Sequence, residues 1–187
     1  NYLFLDIHHI VADGTSLGII LNDINRAYSG EKLEVEEYTS YDLALDNRDA
    51  LASDAYKNAE NYYKSVFENA GGSINFYPDK SGAAPTAEMY HRETSEFSVQ
   101  DVKAFCKKHG ITENVFFISA FGITLGKYNF RKDAVFTTIY HGRNDSRLSD
   151  TVGMLVKTLP VYCDFSGSTA DCLNAVQQQL INSMNND

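Results

Sequence analysis

The run Leu3-Phe4-Leu5-Asp6-Ile7-His8-His9-Ile10-Val11-Ala12-Asp13-Gly14 constrains this chain more than any other stretch. Large apolar residues lead straight into a histidine doublet, with an aspartate and a glycine just behind it. Short, apolar and rich in bulky side chains, residues 2–9 predict a buried central strand. Such a strand needs neighbours on both sides, so a chain that opens inside one is expected to be an excised piece of a larger polypeptide. Gly14 ends the strand. Thr15 or Ser16 is then expected to cap a helix running to about Tyr28, with Leu17, Ile20, Leu21, Ile24 and Ala27 at helical spacing and Gly30 as its stop. Strand, turn and helix together deliver the histidine pair to a helix N-terminus.

His-His-x-x-x-Asp-Gly supports three chemistries. An imidazole titrates near neutrality and can take and return a proton within one cycle, which makes His9 a candidate general base with Asp13 as a structural brace. His9 and Asp13, one helical turn apart, could instead ligate a metal. The histidines could also be hydrogen-bonded core residues with no chemistry. A metal site wants a third ligand, and His91, His109 and His141 fall in separate elements. A glycine directly after Asp13 suits a tight strand-to-helix turn and lets a substrate approach the backbone.

The rest of the chain alternates helix and strand signals. Residues 31–38 are acidic and predict a loop. Thr39 or Ser40 opens a helix near Tyr41–Leu45, and Ser53 caps another with Ala55, Ala59, Tyr62, Tyr63, Val66 and Phe67 on one face. From Asn69 to Glu88 periodicity dissolves among Gly71-Gly72, Pro78 and Gly82-Ala83-Ala84-Pro85, which reads as a linker. A short strand is expected near 91–97. Ser98 caps a helix closed by Gly110, and Thr112 caps one from Val115 to about Tyr128 that is apolar almost all round and so is expected between layers. Ala134–Tyr140 and the second half of Val152–Tyr162 predict strands, with Pro160 marking an edge or a bulge. Ser168 or Thr169 opens the last helix, with Leu173, Val176, Leu180 and Met184 inward.

Net charge is −9 over 187 residues. That acidity, without a basic block, argues against nucleic acid or an anionic membrane as partner. No apolar run approaches the roughly 20 residues of a membrane helix. Cys106, Cys163 and Cys172 are odd in number and lack CxxC spacing, which predicts buried thiols in a reducing cytoplasm.

His8-His9-Ile10-Val11-Ala12-Asp13-Gly14 resembles the HHxxxDG signature of the condensation domains of nonribosomal peptide synthetases, shared more loosely with chloramphenicol acetyltransferase-like acyltransferases. Gly142-Arg143 followed by Val152-Gly153-Met154-Leu155-Val156-Lys157-Thr158-Leu159-Pro160 resembles the family's second signature, a Gly-Arg and then a VGxxVNTLP-type run. Lys157 stands where Asn is usual, and Met154-Leu155 replaces the commoner aromatic pair. The resemblance implies an α/β (α+β, mixed-sheet) fold of chloramphenicol acetyltransferase type, with parts of two lobes. Residues 1–75 would end the N-terminal lobe, 76–90 would link, and 91–187 would begin the C-terminal lobe.

It further implies amide-bond formation between a donor acyl thioester and the amine of an acceptor amino acid. Both would arrive on the phosphopantetheine of peptidyl carrier proteins, with an adenylation domain in the same polypeptide and no directly bound cofactor or metal. By match, His9 accepts or orients the amine proton, His8 helps hold the turn, and Gly14 offers its backbone N–H near the reacting centre. Asp13 would pair with Arg143. Rival functions are an epimerisation domain, a coenzyme A-dependent acyltransferase, a non-catalytic docking module for carrier proteins and, from outside the family, a zinc-dependent hydrolase. Epimerisation domains usually carry a tryptophan shortly after the motif; here Gly14-Thr15-Ser16-Leu17 follows, and the chain has no Trp.

Overall fold

A computed structural model describes residues 2–68, 70–72, 89, 91, 93–94 and 96–186. In chain order these form α1 (Gly14–Tyr28), α2 (Ser40–Ala50), α3 (Asp54–Phe67), α4 (Val99–His109), α5 (Glu113–Tyr128), β1 (Asp133–Tyr140), a single 3-10 turn (Ser146–Leu148), β2 (Lys157–Asp164) and α6 (Thr169–Asn185). The chain divides into two compact units. One holds Asn1–Tyr62, Ile139–Leu159 and Asn186–Asp187; the other holds Tyr63–Thr138 and Pro160–Asn185. The sequence-predicted linker 76–90 lies outside the described residues except for Met89, and the strand expected near 91–97 lies partly outside them.

Helix starts follow local chemistry. Thr39, Ser98 and Thr112 cap α2, α4 and α5 with their hydroxyls, and Asp42 and Asp101 close reciprocal capping boxes on the first two. Ser168 does the same for α6 with Asp171. These boxes pull the carboxyls of Asp42, Asp101 and Asp171 below their ordinary range, because hydroxyl and backbone N–H donors favour the ionised form.

The second unit owns the apolar core. Val102 and Cys106 of α4, Val115 and Ile118 of α5, Val161 and Cys163 of β2, and Cys172, Leu173, Val176 and Leu180 of α6 form one buried cluster. α5 packs on both α4 and α6. Its buried positions, Val115, Ile118, Ser119, Gly122, Leu125 and Gly126, form a single stripe. Phe117 and Phe121 on the opposite side are about half exposed, so α5 is one-sided rather than enclosed. Gly122 lets this stripe approach the sheet, since a Cβ there would lie 2.8 Å from that of Cys163. All three cysteines are buried free thiols, with Cys163 Sγ 3.3 Å from Cys172 Sγ.

β1 and β2 form a two-stranded sheet. The Phe165 N–H donates to the Lys132 carbonyl (2.9 Å), joining the end of one strand to the start of the other, so they run antiparallel. Tyr162 sends its N–H to Gln179 Oε1 (2.8 Å), away from β1. Pro160, two residues earlier, faces the same way, so its missing N–H removes no ladder bond.

The strand expected over residues 2–9 does not form: residues 2–8 have no regular secondary structure, and no strand among the described residues pairs with them. Tyr2, Leu3 and Phe4 are exposed. An apolar run records a burial that neighbouring strands must supply, and without a ladder it stays irregular.

Candidate active site

The first unit is organised around buried polar groups. Asp13, Ser16 and Thr151 are each about 1% exposed or less, and the Arg143 side chain is 7% exposed. Such groups are costly inside a protein unless paired and hydrogen-bonded, and among the described residues of this cluster only Arg143 Nε lacks a hydrogen-bond partner.

The pairing begins at the histidine turn. The Val11 N–H donates to the His8 carbonyl (3.1 Å), and the Ile10 N–H donates to His8 Nδ1 (3.1 Å). The second bond leaves the His8 ring with its proton on Nε2 when neutral. His8 thus folds the turn with both backbone and side chain. His9 is exposed, and its ring has no hydrogen-bond partner among the described residues. Neither histidine is a core residue.

Asp13 is the N-cap of α1, three residues ahead of the Ser16 cap expected from sequence and two ahead of the Thr15 alternative. Its short carboxylate reaches forward to the Ser16 N–H (2.8 Å), the usual N-cap geometry. Gly14 therefore starts the helix. It has no positive φ, and a Cβ placed there would meet nothing within 4 Å. The turn does not need a glycine on steric grounds; what Gly14 leaves is open space beside an exposed helix N-terminus. The first N–H groups of a helix have no intrahelical acceptor.

The rest of the Asp13 shell comes from residues 142–155. Arg143 Nη2 donates to Asp13 Oδ1 (3.0 Å) and Oδ2 (3.3 Å), and the Leu155 N–H donates to Oδ2 (3.1 Å). Arg143 Nη1 donates to the carbonyls of Leu148 (2.7 Å) and Thr151 (2.8 Å), anchoring the guanidinium in its own loop. The Asp13 N–H donates to the Gly153 carbonyl (3.2 Å). Ser16, which the sequence offered only as a cap, is the group missed: its hydroxyl lies 2.8 Å from Asp13 Oδ1, 2.8 Å from the Gly153 carbonyl, 3.0 Å from the Gly153 N–H and 3.2 Å from Arg143 Nη2. An Asp-x-x-Ser start to a helix is the sequence signal that could have found it.

Outer contacts hold the same loop. Thr151 Oγ1 donates to the Tyr38 carbonyl (2.8 Å), Glu36 Oε1 accepts the Val152 N–H (3.1 Å), and Arg147 stacks 4.3 Å above the Tyr38 ring. Gly142 sits at φ +67°, and a Cβ there would collide with the Leu155 carbonyl. Gly142→Ala is therefore expected to cost about 1–3 kcal/mol for the left-handed backbone alone, read as a lower denaturant midpoint in the full domain.

Burial pushes the Asp13 carboxyl up, but the Ser16 N–H and hydroxyl, Arg143 and the Leu155 N–H outweigh it and hold the group down at about 2. The ordinary value is 3.8. A folded value below the unfolded one stabilises the fold fully above pH ~4, and that stabilisation is lost as pH falls through about 2. The size is about 2 kcal/mol. Unfolding free energies between pH 2 and 5 should show this slope in the unaltered domain and a flatter one in Asp13→Asn.

Both Asp13 oxygens are taken by N–H, hydroxyl and guanidinium donors, which leaves the carboxylate no open lone pair aimed at a cation. Among the described residues no group of three or more His, Cys, Asp or Glu could hold a metal ion. His109 lies 4.3 Å from the Phe105 ring, and His141 Nδ1 accepts the Arg143 N–H (2.9 Å). Among the described residues no helix is long and apolar enough to cross a membrane.

The candidate site is a histidine turn braced by a buried Asp–Arg pair, carried by an α/β framework. The chain belongs to the condensation-domain family, whose sequence profile matches residues 1–187. Among its relatives is tyrocidine synthase 3 of Brevibacillus parabrevis, 29% identical over 165 residues, covering 85% of this chain and 2% of that protein. Among solved structures, the first condensation domain of the calcium-dependent antibiotic synthetase, in complex with a substrate analogue, matches with a TM-score of 0.74 at 18% identity, over 96% of this chain and 42% of that one. The epimerization domain from the third module of tyrocidine synthetase B matches with a TM-score of 0.66 at 18% identity, over 94% of this chain and 44% of that one. The chain thus spans less than half of these solved domains and a small fraction of the synthetase. The fold is chloramphenicol acetyltransferase-like, and condensation domains of nonribosomal peptide synthetases are in general acyltransferases.

Proposed function

We propose that this chain is part of a condensation domain that joins a carrier-borne donor acyl thioester to the amine of a carrier-borne acceptor amino acid, with His9 at the reacting centre. The supporting observation is the His9 ring: exposed, without a partner among the described residues, and four residues from an Asp13 fixed from both signatures. The acceptor nitrogen attacks the thioester carbonyl, an N–C bond forms and the C–S bond breaks. His9 takes the proton the amine loses and returns it to the departing pantetheine thiolate. The open space at Gly14 lets the thioester approach the α1 N-terminus, whose free N–H groups favour the oxygen that gains charge.

On this reading the substrates ride on phosphopantetheine, the partners are donor and acceptor peptidyl carrier proteins, an adenylation domain lies in the same cytoplasmic polypeptide, and no cofactor binds directly. Residues 1–75 close a first lobe, 76–90 link, and 91–187 open a second. The 187-residue chain alone is then expected to turn over poorly or not at all.

Mass spectrometry of the full parent polypeptide with loaded carriers tests this. Condensation yields an amide-linked product on the acceptor carrier. Epimerisation, the reading suggested by the tyrocidine synthetase B likeness, would exchange the donor Cα hydrogen with solvent deuterium and form no amide. Carrier binding without either product would indicate a docking module. Gly14→Ala separates chemistry from folding: stability should change by no more than about 1 kcal/mol, while turnover falls because the methyl fills the approach space. Equal loss of both would count against a substrate path at Gly14.

A further inference from the structure

We infer that Ser16 is a positioning residue for His9, an inference that rests on the condensation reading above. A serine hydroxyl carries one proton and two lone pairs. Around Ser16 Oγ stand two acceptors, Asp13 Oδ1 and the Gly153 carbonyl, each at 2.8 Å, and two donors, the Gly153 N–H at 3.0 Å and Arg143 Nη2 at 3.2 Å. The hydroxyl is wholly buried, so water replaces none of these partners.

Without the hydroxyl Asp13 loses one of the donors that hold its carboxyl down, but the Ser16 N–H, the Leu155 N–H and Arg143 still hold the carboxylate. The Gly153 N–H does depend on the hydroxyl, since Ser16 Oγ is its acceptor, while the single hydroxyl proton is shared between Asp13 Oδ1 and the Gly153 carbonyl. That same carbonyl accepts the Asp13 N–H (3.2 Å), so the end of the histidine turn rests on Gly153, and Gly153 rests on Ser16. Removing the hydroxyl therefore leaves the ion pair in place and frees the backbone from which His9 is presented. An imidazole misplaced by about 1 Å costs about 100-fold in rate.

In the full condensation domain with loaded carriers, Ser16→Ala is expected to lower kcat about 10- to 100-fold while KM for both carriers stays unchanged. Ser16→Thr, which keeps the hydroxyl, should recover most of the rate. With 13C-labelled histidine, the His9 Cε1 resonance, assigned by its loss in His9→Gln, should be single in the unaltered protein and broadened or doubled in Ser16→Ala. If Ser16→Ala does not fold, Ser16→Cys, close in size and weak in hydrogen bonding, carries the same expectations. A rate that falls only in proportion to the folded fraction, with the His9 resonance unchanged, would overturn the inference. Wild-type turnover by His9→Ala would sink the catalytic reading instead; the His9 resonance then still reports whether Ser16 sets that ring, and an unchanged resonance overturns the positioning role.

Discussion

Replacing Asp13 with alanine is expected to lower the unfolding free energy of the complete domain by about 3–5 kcal/mol. The loss is large because the carboxylate answers several buried donors at once. Without it, Arg143 Nη2, the Leu155 N–H and the Ser16 N–H lose an acceptor inside a site that excludes solvent. Arg143→Ala should cost a similar amount, since Asp13 would then be a buried anion missing its cation. The double variant should cost clearly less than the sum, because the second change removes a charge the first left stranded. In a complete domain more than twice the length of this chain, 3–5 kcal/mol corresponds to a melting temperature lower by roughly 5 °C. A melting temperature unchanged in both single variants would show that the pair braces nothing. Surface pairs such as Arg48–Asp49 give the contrast: both partners are more than half exposed, and breaking them should shift stability by less than about 1 kcal/mol.

What the sequence disclosed and what it hid divide along range. The caps at Thr39, Ser98 and Thr112 and the stop at Gly110 involve residues a few positions apart, so their chemistry is written in the local string. The ladder of residues 2–9 was expected because an apolar run does not say whether a partner strand is present. α1 was expected to begin late because Thr15 and Ser16 are acceptable caps, and only three-dimensional context shows Asp13 taking that place. α5 looked buried all round because Phe117 and Phe121 carry the same apolar signature whether or not another surface covers them.

The candidate site is the extreme case. Asp13 and Arg143 are separated by 130 positions, and Asp13 and Leu155 by 142. No periodicity or spacing within either segment points to the other. Their pairing was anticipated only through resemblance to a family with both signatures. Ser16 and the backbone of Gly153 were absent even from that expectation, because a buried hydroxyl and a peptide group have no sequence signature of their own. Of the two reasons read for Gly14, the tight turn is not what it serves, since its backbone is ordinary helix; the open space beside it is there.

His9→Ala is expected to leave the fold unchanged and remove most of the chemistry. The His9 side chain is exposed and without a partner among the described residues, so its truncation leaves no buried group unsatisfied. Proton handling by a positioned imidazole is worth about 10²–10⁴-fold in rate, and the whole of that factor is at stake. His8 differs in kind: its Nδ1 accepts the Ile10 N–H and its carbonyl accepts the Val11 N–H, so changes there should disturb the turn as well as the rate. The most direct measurement is single-turnover amide formation between loaded donor and acceptor carriers, made on the complete domain with and without His9→Ala at matched circular dichroism and melting temperature. The account predicts a rate lower by at least about 100-fold in a protein that melts where the unaltered one does; amide product appearing at the unaltered rate would contradict it.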